Sequence, residues 1–374
     1  MVHMPPPNIR ISLFIPSLRG GGAERVTVLL ANGLVDKGYK VDLITCQGGG
    51  AYVTDVDSRI NLITLGASRV TTALFPLFKY LIRVKPYALI SAMGHANVVA
   101  ILAKVISKSS AKVLVVEHNT FSRAATSFKS RLLKHFIKIL YPFADYIAGV
   151  SKGVVEDFTK SIKISKNKIH VLYNPVVSTR LEELMSREPH HPWFLDDGDP
   201  VFVGIGRLTE QKDFESLINA FAIVNKSRKS RLVIFGEGEL RTQLESQVSR
   251  LSLDERISLP GFVSNPFCHL RSSATFVLSS RWEGLPTVLI EALACGVSVV
   301  STDCPSGPEE ILEGGKWGYL VPVGDVQALA SAMIQSLDNP RTEGVAIRAA
   351  EYSSEKAVAR YLQLLGVRDG TQWP

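Results

Sequence analysis

DPVFVGIGRLTEQKDFESLINAFAIVNKSRKSRLVIFG, residues 199–236, decides the fold. It opens with a short apolar, β-branched run, passes through a helical pattern expected over 212–228, and closes on a second run, RLVIF. Two strands joined by a helix cannot form a hairpin; the crossover makes them parallel neighbours. The scheme continues toward the C-terminus with a helix over 238–251, the strands RISLPGF and ATFVLSS, a helix over 286–295, then VSVVST and closing helices. Toward the N-terminus the strands are IRISLFIP, VDLITC, NLITL, ALIS, AKVLVV, DYIAGV and KIHVLY. Helices fall between them, from 21, near 72–84, 95–107 and 128–141, and from 151. The fold class is therefore α/β, with two doubly wound, Rossmann-like parallel sheets. EPHHPWFLDDGDP, residues 188–200, lacks periodicity and reads as the linker. The first domain is expected over 1–178 and the second over 199–352.

Charge divides along the same line. Residues 1–180 hold 24 Lys and Arg against 9 Asp and Glu, a net +15, while 181–374 carry a net −8. The basic half is expected to meet an anionic surface or substrate. Cys46, Cys268, Cys295 and Cys304 form no CxxC pair and read as reduced, buried thiols of a cytosolic protein. No stretch reads as a membrane span: the best candidate, from residue 88, contains His95, Asn97 and Lys104 and is split by Gly94. RISLFIPSL is a poor secretory leader, being short and holding Pro16.

Residues that can do chemistry fall just after strands, where such sheets bind ligands. SLRGGGAER, 17–25, lets the backbone approach a ligand before a helix N-terminus suited to anions. It is not GxGxxG, and Thr45-Cys46-Gln47 supplies no ribose-binding acid after the second strand, which counts against a tandem dinucleotide-binding oxidoreductase. A non-catalytic binder of anionic polymers is the other alternative, but no aromatic-interleaved basic stretch supports it. In GRLTEQKDF, Arg207 and Lys212 place two cations beside a helix start. In SSRWEGLPTVLIEALACG, 279–296, Pro286 suits the first helical position, Glu283 precedes the helix, and Glu291 sits in an apolar helix that makes an unpaired carboxylate costly. Ribose-type hydroxyls or a buried Arg would each satisfy Glu291.

GxGRLxxxKxF followed by the E-x7-E of EGLPTVLIE resembles family 4 of the retaining nucleotide-sugar glycosyltransferases. SLRGGGAER, VVEHNT, FGEGELR, PGFV and DCPSGPEEIL extend the resemblance over nearly the whole chain. It implies a GT-B fold, two facing domains with a C-terminal helix, 353–374, crossing back to the first. It implies transfer of a hexose or N-acetylhexosamine from a nucleotide-diphosphate sugar, UDP preferred over GDP, to a lipid-linked or surface-glycan acceptor hydroxyl. By resemblance Arg207 and Lys212 hold the diphosphate, Glu291 the ribose, and Glu283 and His118 the transferred sugar. Gly21 and Gly22 lie close to the donor phosphates or sugar, and Phe262 and Val263 near the base; Gly284, Leu285 and Thr287, on the residues' own reading, open a helix whose free N–H groups suit phosphate or sugar oxygens. No cofactor or metal is expected, and no nucleic acid. KSRLLKHFIKILYPF, 129–143, and LFPLFKYLIRVKPY, 74–87, read either as helices with basic edges or as faces for anionic lipid. The second reading places a cytoplasmic enzyme peripherally on the inner membrane face.

Overall fold

The computed structural model describes residues 9–122, 128–162, 164–195 and 198–367; the side chain of Lys129 and the ends of the expected domain and tail, 1–8 and 368–374, lie outside them. The chain divides into two units: Met1–Val176 with Ser354–Pro374, and Val177–Ser353.

Unit 1 alternates as the apolar runs require. It comprises β1 (Arg10–Ile15), α1 (Gly22–Asp36), β2 (Lys40–Thr45), β3 (Asn61–Thr64), α2 (Leu74–Val84), β4 (Ala88–Ala92), α3 (Gly94–Ser107), β5 (Lys112–Glu117), α4 (Phe128–Leu140), β6 (Tyr146–Gly149), α5 (Lys152–Ser161) and β7 (Ile169–Val171). All pairings are parallel, in the order β3-β2-β1-β4-β5-β6-β7. Val113, Val115, Leu89 and Phe14 are fully buried under α2 and α3 side chains such as Leu77, Leu81 and Ile101.

Unit 2 runs α6 (Thr179–Met185), β8 (Val201–Ile205), α7 (Phe214–Ser227), β9 (Arg231–Phe235), α8 (Arg241–Arg250), β10 (Ile257–Gly261), α9 (Phe267–Arg271), β11 (Thr275–Leu278), α10 (Thr287–Ala294), β12 (Ser298–Thr302), α11 (Pro308–Leu312), β13 (Tyr319–Val321), α12 (Val326–Asp338) and α13 (Val345–Ala349). Its parallel sheet is ordered β10-β9-β8-β11-β12-β13. In both sheets the strand order reverses once, between β1 and β4 and between β8 and β11. Open α/β sheets bind ligands at the C-terminal strand edge beside such a reversal.

The last helix, α14 (Ser354–Leu364), belongs to unit 1. Ala357, Val358, Tyr361 and Leu362 are buried, Lys37 at the end of α1 pairs with Glu355 at 3.6 Å, and Lys112 Nζ donates to the Leu365 carbonyl at 2.6 Å.

Three sequence expectations shift. The stretch read as a linker is part of unit 2: the His269 ring accepts from the backbone N–H groups of His190 and His191 at 3.1 and 3.3 Å, and Asp199 pairs with Arg256. A buried side chain captures this backbone, so no periodicity is needed. Pro286 is the N-cap of α10, with extended backbone (ψ 95°), and the helix starts at Thr287. Lys212 and Asp213 precede α7 because Asp213 turns left-handed (φ 48°) and pairs with Arg281 at 3.0 Å.

Candidate functional site

The loops after β8, β11 and β12 are stitched together at the C-terminal edge of unit 2. Arg281 N–H donates to the Gln211 carbonyl at 2.8 Å, Gln211 Nε2 to the Trp282 carbonyl at 2.9 Å, and Ser279 Oγ to the Lys212 carbonyl at 2.8 Å. Glu283 N–H reaches the Pro305 carbonyl at 3.3 Å. Two glycines make the approach possible. Gly236 (φ +146°) packs so closely that a Cβ would lie 1.9 Å from the Gly206 carbonyl oxygen, and at Gly307 (φ +101°) one would lie 2.5 Å from Pro286 Cδ. Both conformations favour glycine on backbone grounds as well. The DCPSGPEEIL stretch thus braces the start of α10, and FGEGELR braces the loop of Arg207.

Within this frame Lys212 Nζ meets Glu283 Oε1 at 2.6 Å, and Ser280 Oγ donates to the same oxygen at 2.7 Å. Glu283 is 7% exposed, so its charge is paired where water is scarce. Oε2 takes no hydrogen bond from a described residue, and Lys212 spends one of its three N–H groups on the pair. Burial and the charge of Glu283 push the Cys304 thiol up to about 12. Arg207, on the loop before Lys212, is exposed and has no partner among the described residues. Between them Thr209 Oγ1 is buried without a hydrogen-bond partner, a state native structures rarely tolerate.

Glu291 is 4% exposed inside α10, where helical spacing carries it past the first turn. Leu285 is buried, Gly284 buried, and Thr287 half-buried at the helix start. Phe262, just past β10, is 69% exposed, a large aromatic face that burial does not explain; Val263 beside it is half-buried.

Gly21, Gly22 and His118 belong to unit 1. Gly21 caps α1 and Gly22 is its first residue, with no atom within 4 Å of the space its Cβ would take. His118 follows β5, half-buried, and neither ring nitrogen is hydrogen-bonded to a described residue. Burial pushes its imidazole down to about 4, so it is neutral at physiological pH. The Lys212–Glu283 pair, 71 residues apart, could not be seen as a pair in sequence, and neither could the support from Ser280 and Gln211. The signal for Ser280 was its place just past the end of β11. Among the described residues no three His, Cys, Asp or Glu side chains are grouped as a metal site.

Residues 20–180 match the family described as Glycosyltransferase Family 4, and residues 186–353 the one described as Glycosyl transferases group 1. The chain is 30% identical over 350 residues, 89% of its own length and 91% of the relative's, to a Campylobacter jejuni enzyme. That enzyme is named N-acetylgalactosamine-N,N'-diacetylbacillosaminyl-diphospho-undecaprenol 4-alpha-N-acetylgalactosaminyltransferase. An uncharacterized glycosyltransferase of Methanocaldococcus jannaschii is 35% identical over 250 residues, 64% of this chain and 61% of that one. Among solved structures, HepE of Anabaena, crystallised with UDP and glucose, superposes with a TM-score of 0.79 over 96% of this chain and 100% of its own. At 18% identity that likeness is one of fold.

Proposed function

Because the chain belongs to family 4 of the glycosyltransferases, enzymes of GT-B fold, we propose that it transfers a hexose or N-acetylhexosamine from a UDP-sugar to a lipid-linked or surface-glycan acceptor, with retention. The observation that carries the reading is the buried Lys212–Glu283 pair with the unpartnered Arg207 on the same strand edge. A diphosphate needs cations and helix N–H groups, and Arg207, Lys212 and the start of α10 supply both. Glu283, pinned through Oε1, offers Oε2 to the hydroxyls of the transferred sugar. Glu291 takes the ribose hydroxyls, Phe262 and Val263 flank the base, and Gly284, Leu285 and Thr287 bring backbone close to the phosphates. Gly22 offers open backbone to the donor, Gly21 caps the same helix with the Glu24 carboxylate packed against it, and neutral His118 contacts the sugar near the reacting carbon.

In the transfer the acceptor oxygen bonds to the anomeric carbon on the face from which UDP departs. The bond from that carbon to the phosphate oxygen breaks, and a departing phosphate oxygen takes the acceptor proton. Arg207 and Lys212 lower the barrier by meeting charge that develops on the leaving group; one well-placed donor of this kind is worth about 3–4 kcal/mol. The nucleotide of HepE and the diphospho-undecaprenol in the name of the Campylobacter relative support a UDP donor and a lipid-diphosphate acceptor. A screen of UDP- and GDP-sugars for nucleotide release, with and without lipid-diphosphate acceptors, tests the assignment. Release from no sugar overturns it.

Glu291→Gln weakens UDP binding about 10-fold or more, since hydrogen bonds to a charged group are worth about 1.5–3 kcal/mol. Calorimetry checks this; unchanged affinity means that Glu291 serves the fold instead.

The lipid reading has its own support in unit 1. On α4, Leu132, Phe136 and Ile139 are 46, 42 and 50% exposed, spaced to form one stripe, with Arg131, His135 and Lys138 exposed beside it. On α2, Phe75 and Ile82 are 61 and 46% exposed. No helix among the described residues is long and apolar enough to cross a membrane; an apolar stripe edged with cations suits an anionic lipid surface. Co-sedimentation requires anionic vesicles and weakens with salt, each cation near the surface contributing about 1 kcal/mol. Arg131→Glu with Lys138→Glu abolishes it. Lys134 is the poorer choice, since it is half-buried with its ammonium 5.5 Å from the Phe121 ring. Equal recovery with neutral vesicles points to a soluble acceptor.

A further inference from the structure

The end of β5 holds a carboxyl that the transfer chemistry leaves unused. Glu117 is the last residue of the strand, immediately before His118, and its backbone is fixed by the Val150 N–H at 3.2 Å. Its Oε1 accepts from the Tyr141 hydroxyl and, at 3.1 Å, from Asn97 Nδ2. Asn97 is fully buried, lies 3.1 Å from the Tyr141 hydroxyl and also donates to the Val116 carbonyl; its Oδ1 has no partner. Residues from two further elements are thus committed to one carboxyl oxygen. Yet Oε2, on a half-buried side chain, takes no hydrogen bond from a described residue. That oxygen is open to solvent while its twin is clamped from two sides, so the carboxyl is held with one acceptor presented outward.

The surroundings decide what the open oxygen receives. A Cβ on Gly94, the first residue of α3, would lie 3.5 Å from Oε1 and 3.8 Å from Oε2, so the carboxyl rests against that helix start. The helix start favours an anion there, and Glu117 already supplies it. An arriving phosphate would meet like charge; a neutral hydroxyl would find an acceptor. The turn leading into α3 is also held in an uncommon conformation, with Met93 at φ 80°, ψ 124°. Strain of that kind persists only where the surroundings impose it.

We propose that Glu117 is a sugar-binding residue of unit 1, positioned by Tyr141 and Asn97, whose Oε2 accepts a hydrogen bond from a hydroxyl of the sugar substrate beside His118. The inference rests on the transferase reading for the identity of the ligand, but its test does not depend on turnover. Saturation-transfer NMR with free hexoses and N-acetylhexosamines at millimolar concentration is run on wild type, Glu117→Gln and Tyr141→Phe, alongside UDP calorimetry and thermal melts. The expected result is sugar saturation in wild type, its loss in Glu117→Gln, and a weaker signal in Tyr141→Phe. UDP affinity stays within about twofold, since the nucleotide residues lie in unit 2, and folding is retained. Tyr141→Phe keeps the proposal testable if Glu117→Gln does not fold. Equal signals in wild type and the variants overturn the proposal, as does the absence of any signal in wild type. Where a donor turns over, kcat/KM of Glu117→Gln falls at least 10-fold. A wild type that binds sugars through Glu117 but releases no nucleotide sinks the transferase reading and leaves the binding role standing.

Discussion

Lys212→Ala loses both turnover and stability. Its ammonium is the partner of a carboxylate that is 7% exposed, 2.6 Å away. Removing one member of a buried pair costs about 3–5 kcal/mol, and Ser280 retains one hydrogen bond to Glu283, so the lower end applies. Turnover falls further, by about 10²–10³-fold in kcat/KM, because in the proposed site the lost cation also meets the departing diphosphate. The two effects separate in Lys212→Ala/Glu283→Gln. Neutralising the stranded carboxylate restores most of the melting temperature and none of the rate. Melting curves and nucleotide-release kinetics read both. A double variant that regained activity would make the pair a structural bridge alone.

Arg207→Ala gives the opposite signature. The side chain is exposed and without a partner among the described residues, so its loss shifts stability by no more than about 0.5 kcal/mol. The rate still falls by about 10²–10³-fold in kcat/KM, since the proposed guanidinium fork on the diphosphate contributes as the charge develops. Arg207→Lys recovers only part, because a point charge cannot reproduce the paired geometry. Wild-type kinetics in a folded Arg207→Ala protein would remove the residue from the donor site.

Sequence showed the alternation of strands and helices because each buried parallel strand must be apolar along its length, as LFVI-type runs such as RLVIF are. It showed the post-strand cations and glutamates because ligand edges follow strand ends. Helix starts were less visible. Asp213 turns left-handed under the pull of Arg281, 68 residues later, and no local pattern records such a partner. The 188–200 stretch looked like a linker since its order comes from the His269 ring rather than from its own periodicity. Glu117 was passed over for its neighbour His118. What distinguishes it is the clamp formed by Asn97 and Tyr141, 20 and 24 residues away in the chain.

The placement of α14 has a consequence for how the protein is made. Val177 and Ser353 lie side by side as a parallel bridge, with the Val177 N–H on the Tyr352 carbonyl at 3.2 Å, so unit 2 enters and leaves through adjacent points, like an insertion. Unit 1 is the interrupted one. While a ribosome adds about 5–20 residues per second, roughly 10–35 s separate completion of β7 and its neighbours from the arrival of α14. During that interval unit 2 can finish folding, although it lies later in the chain, and the face of α1 around Gly33 waits uncovered for Val358. The half that begins first is the half that closes last.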